Sequence, residues 1–395
     1  MEISPALRAR LRPLYLAAFL QGLVFWYPVE KLFMRSIGFS DALIGLFIAV
    51  YSIVMIMTEI PSGVLADRWS RKGVLMLSSV LLSLSALTGG LSYSPRLFFI
   101  STCLWGVFFA MYSGANDAIV YDLLEEDGHH PDLFEKVFGR IRMLDSIALV
   151  IGSLGGGLLA SVFGTRITFF LTIPGALLSI AALAVFREPT IHKAKAAAAL
   201  TEHIRTTLSA VFAHRRLVPI LAVLILTSAL EYLLFEFGQL WLLALHAPTA
   251  WYGPANAMTL AALAVGGLLA GKIRQHRELL PLLILSMVVG VAGLATIHDI
   301  ITIVGCQFLV LTGVITLGIY YLRLLHDNLS SEIRTGSSSA VGSMGRLVII
   351  PLALILGVIS SSSNIYRAAW VLIIMVVAIA SIVTYMQLRG RPSVA

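Results

Sequence analysis

Apolar runs, each close to the ~20 residues a helix needs to cross about 30 Å of hydrocarbon, follow one another along this chain about twelve times. They fall at about 13–34, 41–66, 73–92, 97–123, 137–162, 166–186, 217–245, 251–271, 279–297, 300–325, 335–358 and 365–388. In lipid every backbone N–H and C=O must find its partner within the protein, so only helices and closed barrels cross. Ten-residue alternating strands are absent, which argues against a barrel. The chain is 58% hydrophobic and only 12% charged, where soluble domains carry about 25% charge. Polar side chains are too few to cover a water-soluble globule. The expected fold class is an all-α membrane protein of twelve transmembrane helices, the longest of them tilted or protruding.

Lys and Arg set the orientation, because the cytoplasmic connectors retain them. An even number of spans puts both termini on one side, and twenty-two of the 28 Lys and Arg residues lie on that side. Five, Lys31, Arg35, Arg96, Arg166 and Arg367, lie on the other, and Arg346 falls inside a span. Both termini are therefore expected in the cytoplasm, and the lack of long soluble domains makes a bacterial inner (plasma) membrane the expected location. The net charge of +7 does not point to nucleic acid, since the cations sit in short connectors rather than on one soluble face. Cys103 and Cys306 both lie in apolar runs, with no disulfide framework. The basic N-terminus leads into a run with no small-residue cleavage site before Trp26, Tyr27 and Pro28, so it reads as an uncleaved first span.

The longest connector, 187–216, is basic and Ala-rich, and its second part reads as an amphipathic surface helix. It divides the chain into a bundle of six spans over 1–186 and another over 217–395. Between the second and third spans of the first half stands GVLADRWSRK, Gly63 to Lys72, a charged hairpin with Asp67, Arg68, Arg71 and Lys72. At the matching place in the second half, Gly267-Leu268-Leu269-Ala270-Gly271-Lys272 repeats the Gly-x-Leu-Ala frame about 204 residues later, with Gly271 where Asp67 stood.

The hairpin resembles the signature loop of the major facilitator superfamily, departing at Ser70, where that family usually has Gly. The resemblance covers nearly the whole chain: span count, central loop, signature and its decayed copy. It implies two six-helix pseudo-repeat bundles working by alternating access. It also implies a cavity lined by spans one, four, seven and ten, and span two packed against span eleven. Within the superfamily the chain is similar to twelve-span bacterial drug:proton antiporters, through Glu59-Ile60-Pro61-Ser62-Gly63 and through Ser113-Gly114-Ala115-Asn116-Asp117-Ala118 with Tyr121-Asp122. Span four lacks the Arg of many antiporters, and span five has Gly152, Gly155, Gly156 and Gly157 without the Pro of the antiporter signature. The direction of transport stays open on that ground.

Ionisable residues inside spans are costly and by default suggest function. Glu30, Glu59, Asp117, Glu231 and Glu236 are the proton-coupling candidates. Each has a plainer reading. Glu30 with Lys31 can reach the outer interface. Asp117 and Asp122, with Asp145 one turn further in, can form structural ion pairs with Arg140 and Arg142 at the start of span five. Ser228, Tyr232, Glu236 and Gln239 form one polar stripe on span seven, about 140° from Glu231. Span four shows a stripe of Ser113, Asp117 and Tyr121 flanked by Tyr112 and Asn116, and span ten one of Thr312, Thr316 and Tyr320. Gln21, Phe25 and Trp26 add polar and aromatic groups on span one. The substrate-cavity candidates are thus Gln21, Phe25, Trp26, Tyr112, Ser113, Asn116, Tyr121, Tyr232, Gln239, Thr316 and Tyr320. Arg346 needs a partner: either Glu59, in a pair that opens between states, or Glu231 or Glu236. The glycine pairs Gly152/Gly156, Gly267/Gly271 and Gly342/Gly345 read as close helix contacts.

No HExxH, GxSxG or Walker A motif is present, so no enzyme, cofactor or metal is expected. His129-His130, beside Glu125, Glu126, Asp127 and Asp132, reads as a solvated acidic connector. The expected function is proton-coupled efflux of an amphipathic organic compound or drug by a monomer, with Gly63, Asp67, Arg68, Arg71 and Lys72 as the cytoplasmic gate. The alternatives are a proton-linked importer or facilitator of a metabolite, and a non-transporting receptor or scaffold.

Overall fold

The computed structural model describes residues 5–128, 132–189, 217–328 and 331–388. Among these are thirteen α-helices: α1 Pro5–Gly22, α2 Glu30–Ser36, α3 Asp41–Arg68, α4 Arg71–Gly90, α5 Pro95–Glu126, α6 Asp132–Phe163, α7 Ile167–Val185, α8 Val218–Ala244, α9 Tyr252–Gln275, α10 Leu280–Thr296, α11 Ile300–Asp327, α12 Ser331–Ser362 and α13 Ile365–Leu388. Eleven of them, α3 to α13, are long and apolar enough to cross a membrane, and they match spans two to twelve. The amphipathic stretch expected at 201–216 and the pair His129-His130 lie outside the described residues.

The first span departs from the expected continuous helix over 13–34. It is broken: α1 ends at Gly22, and residues 23–26 are non-helical. A 3-10 turn, Tyr27–Val29, then leads into α2. Pro28 is the cause on the chain, since its ring lacks an N–H and would clash with the carbonyl four residues back. Freed backbone groups are tolerated at membrane depth only where protein covers them. Here the Phe25 N–H donates to Thr172 Oγ1 at 3.0 Å and the Val24 N–H to the Gly22 carbonyl at 2.8 Å. The glycine pair on α6 receives the irregular strand. A Cβ on Gly152 would stand 2.8 Å from the Val24 carbonyl oxygen, and one on Gly156 would overlap that of Phe25.

The described residues fall into two compact units. One draws on Met1–Phe39, Val50–Ala199 and Pro248–Asn256; the other on Ser40–Ala49, Leu200–Ala247 and Ala257–Ala395. Each contains the head of a helix that otherwise belongs to the other. In the second unit the head of α3 packs on α12, with Gly45 against Ala353 and Gly357, and Ser360 Oγ donates to Asp41 Oδ2 at 2.6 Å. In the first, the head of α9 packs on α6, with Gly253 against Gly157 and Ser153, and Asn256 Nδ2 donates to Ser153 Oγ at 2.8 Å. Spans two and eleven, then eight and five, are thus the same contact displaced by six spans.

The glycine expectation needs correcting in span eight. No atom lies within 4 Å of a Cβ built on Gly271, and only Ile319 comes near Gly267. The close contacts there are made by Gly253 and by Gly266, the latter against Ile315. In span eleven Gly342 is open, while Gly345 lies against Ser228. Spacing alone cannot say which way a small residue faces.

Elsewhere helix starts follow local rules. Ser70 caps α4 by accepting from the Gly73 N–H. Asp299 caps α11, accepting from the Thr302 N–H at 2.8 Å and its hydroxyl at 2.6 Å, which holds the carboxyl below its usual range. A lowered carboxylate contributes at neutral pH and loses its effect as acid protonates it.

Gly156→Val is expected to destabilise the protein by about 1–3 kcal/mol through overpacking against the span-one break. Gly305→Ala, where a Cβ meets open space, is expected to leave the melting temperature unchanged or slightly raised. Thermal unfolding of both variants in detergent checks the contrast.

Candidate functional site

The signature hairpin is tighter than the sequence suggested. α3 continues through Arg68, so only Trp69 and Ser70 connect it to α4. Arg71 lies at the centre of a charge network in the first unit. Its guanidinium pairs with Asp122 on α5, reaches Asp67 at 3.3 Å, and donates to the Ala118 carbonyl at 2.7 Å. Asp122 had been grouped with Arg140 and Arg142; its partner is instead Arg71. Lys72 Nζ donates to the carbonyls of Ala184 and Phe186, at 2.7 and 2.8 Å, at the end of α7. Glu188 completes the latch, accepting from Ser70 Oγ at 2.6 Å and from the Lys72 N–H at 3.1 Å. This explains the Ser at position 70: its hydroxyl caps α4 and binds Glu188 at once, which Gly cannot do. Arg68 is exposed.

A second cluster lies deeper in the same unit. α6 begins at residue 132, so Arg142 stands about ten residues, or ~15 Å, along the helix rather than at its start. Asp117 lies about nine residues, or ~14 Å, from the end of α5. The matched depth brings the two together at 3.7 Å, each side chain about half exposed (45% and 52%). Arg142 also lies over the Phe138 ring. Asp145 is one turn further along α6, against Gly22 where α1 ends: a Cβ on Gly22 would stand 2.8 Å from Asp145 Oδ1. Tyr112, buried, is within electrostatic reach of Asp145, Arg142 and Asp117. Its hydroxyl and the Nδ2 of buried Asn116 have no hydrogen-bond partner.

The other candidates of the first unit are placed as follows. Gln21 is buried and donates to Ser79 Oγ at 2.6 Å, which Ser179 Oγ also reaches at 2.8 Å. Trp26 is buried, stacked on Phe169 and edge-on to Trp105. Phe25 is partly exposed, beside Gly155. Ser113 donates to the Ala110 carbonyl, and Tyr121 is exposed, edge-on to Phe134. Glu30 and Lys31 do not extend to an interface: both are buried, paired at 2.5 Å, with side-chain exposures of only 8% and 1%.

In the second unit Glu236 and Gln239 are buried on α8, while Glu231 and Tyr232 are partly exposed. Thr316 is fully buried and donates to the Thr312 carbonyl at 2.6 Å and that of Gly266 at 3.2 Å. Tyr320, one turn on, lies edge-on to Tyr321. Gln307, passed over in the sequence, donates from Nε2 to the Gly238 carbonyl at 2.9 Å and so ties α11 to α8. Arg346 is partly exposed on α12 in this unit, and Glu59 is partly exposed on α3 in the first.

Glu188 and Arg142 belong to these two clusters although the sequence does not single them out. Glu188 sits just past a span, where an acid reads as ordinary connector. Arg142 was hidden by placing the start of span five too late.

A bundle of apolar helices, with charged and unsatisfied polar groups held at membrane depth, is the build of a multi-pass membrane transporter for small molecules rather than of an enzyme. The sequence profile of the Major Facilitator Superfamily matches residues 14–350, and the chain belongs to that superfamily. Multidrug resistance protein 2 of Bacillus subtilis (strain 168) is 32% identical over 160 residues, which is 40% of this chain and 38% of that protein. The Na(+), Li(+), K(+)/H(+) antiporter of Planococcus maritimus is 26% identical over 162 residues, 39% of this chain and 36% of that one. The chain thus spans well under half the length of these relatives in alignment. The nucleoside transporter NupG superposes with a TM-score of 0.78 at 14% identity, over 96% of this chain and 99% of its own. A D-xylose-proton symporter does so at 0.70 and 16%, over 94% and 96%. At such identities these structures speak for the fold alone.

Lys31→Met, which removes the ammonium paired with buried Glu30, is expected to cost roughly 3–5 kcal/mol, and the double variant Glu30→Gln/Lys31→Met to recover most of it. Ser70→Ala is expected to cost about 1 kcal/mol of stability through the lost cap, whereas Ser70→Asp, a good cap facing Glu188, is expected to fare no better. Thermal unfolding in detergent measures each.

Proposed function

We propose that this chain is a proton-coupled exporter of amphipathic organic compounds, working by alternating access in a bacterial plasma membrane with both termini in the cytoplasm. The observation that carries the reading is the Asp117–Arg142–Asp145 group at the broken first span. A structural ion pair at membrane depth needs short, shielded geometry to offset desolvation. The Asp117–Arg142 pair is long and half exposed. It is built to exchange partners rather than to hold helices together. Broken helices at mid-membrane are where transporters of several folds place coupling ions and substrates. Aromatic Tyr112 within electrostatic reach of these charges suits an amphipathic organic molecule. The similarity to a protein named for multidrug resistance supports the same substrate class.

In this reading Asp117 and Asp145 compete for Arg142, and protonation of one frees the guanidinium to swing to the other. Glu236, Glu231, Glu30 and Glu59 are further proton-site candidates. The Arg71 network, with Asp67, Asp122 and Lys72, acts as the gate. The 1–186 and 217–395 halves act as the two moving bundles, joined by the basic linker 187–216, in a monomer.

The test uses purified protein in liposomes with a pH-sensitive dye trapped inside. A pH gradient is imposed and lipophilic cations, antibiotics, sugars and amino acids are added one at a time. Substrate-dependent proton flux with a lipophilic cation is expected, falling at least tenfold in Asp117→Asn or Asp145→Asn. Flux in both variants equal to wild type would move coupling to the remaining carboxylates, with Glu236→Gln the next to examine. Uptake of a labelled solute without any proton movement would replace the exporter by a facilitator.

A further inference from the structure

The two units treat the equivalent cleft differently. In the first, the space between spans two and four at the hairpin end is filled by Arg71, one guanidinium held by the two carboxylates of Asp67 and Asp122. In the second, the same place lies between α9 and α11, and the residue matching Asp67 is Gly271. With no side chain there and no atom within 4 Å of where one would begin, the cleft stays open as a cavity of about 320 Å³. Among the described residues its lining reverses the charge balance, with Arg274, Arg277 and Arg323 against the one carboxylate of Asp327. That carboxylate already faces Arg323 at 3.0 Å.

Three guanidiniums around one void repel one another, and one screened carboxylate does not balance them. The group that would is a compact dianion or monoanion with several oxygens, and Arg forks match phosphate oxygens in pairs. The setting narrows the source. The cavity lies at the end of α9 and α11, where a bilayer places its headgroups. Its wall includes Ile319, which is 44% exposed, and such an apolar side chain continues towards the acyl chains. Basic pockets between transmembrane helices on the cytoplasmic side are suited to anionic headgroups.

We propose that the cavity between α9 and α11 is a binding site for a phosphate group bearing net negative charge, supplied by an anionic phospholipid of the adjacent leaflet. Arg274 and Arg277 hold the phosphate, Gly271 makes the room, and Ile319 abuts the lipid's apolar part. The site lies wholly within the second unit and depends on neither the transported substrate nor the coupling ion.

Native mass spectrometry of the purified full chain in detergent tests this, with phosphatidylglycerol, phosphatidylcholine and inorganic phosphate as probes. Wild type is expected to retain phosphatidylglycerol in preference to phosphatidylcholine. Arg274→Gln/Arg277→Gln is expected to weaken that retention about thirty-fold, at a factor of about five per arginine. Gly271→Leu, which fills the void without changing charge, is expected to weaken it as well, and it decides the matter if the double variant unfolds. Retention in both folded variants equal to wild type would overturn the proposal. Displacement of the lipid by millimolar inorganic phosphate, or phosphate binding with no preference between the two lipids, would keep the anion site and overturn the lipid as its source.

Discussion

Lipid offers the backbone no hydrogen-bond partners, and the rest of this structure follows from that. Eleven spans meet the demand as helices. The first meets it differently. Where Pro28 and its neighbours interrupt the ladder, a threonine hydroxyl from α7 and the bare backbone face of Gly152 and Gly156 on α6 cover the exposed groups. The break can exist only because two helices, α6 and α7, are shaped to it. It also ends α1 against Asp145, so the irregular backbone and the deep acidic group occupy one place.

Geometry separates the two charge clusters of the first unit by purpose. The Arg71 guanidinium is only 12% exposed and meets two carboxylates and a carbonyl. Removing any one of these leaves a half-buried charge short of partners, which is why such a network behaves as a clamp. Asp117 and Arg142 are 3.7 Å apart and half exposed, and exposed pairs of this kind contribute about 0–1 kcal/mol. A pair that stabilises so little, at a depth where charge is costly, is the one on which the proposed proton coupling rests.

The two halves share a plan but not a chemistry. The contact of α3 with α12 reappears six spans later as that of α9 with α6, each through facing small residues and one polar hydrogen bond. The hairpin cleft, in contrast, is acidic and full in one unit and basic and open in the other. Arg71, held by Asp67 and Asp122, fills the first cleft, Gly271 leaves the second without a side chain at the position of Asp67, and Arg274, Arg277 and Arg323 set the difference in sign.

Much of this was legible in the residues. Runs of some twenty apolar side chains dictate helices in lipid wherever they occur, so spans two to twelve and the superfamily signature could be read directly. Periodicity placed Asp117 with Tyr112 and Asn116, because residues on one helix turn together regardless of their surroundings. What a one-dimensional pattern cannot carry is which side chain of another helix arrives opposite. That Arg142 rather than Arg140 faces Asp117, that Asp122 belongs to Arg71, and that Glu30 and Lys31 turn inward depend on helix starts and on rotation about each axis. A shift of one residue turns a side chain by about 100°. The break in span one shows the same division. Pro28 announced a disturbance, but only the packing of α6 and α7 decided that the helix would stop, since only their glycines and Thr172 supply what the interrupted backbone lacks.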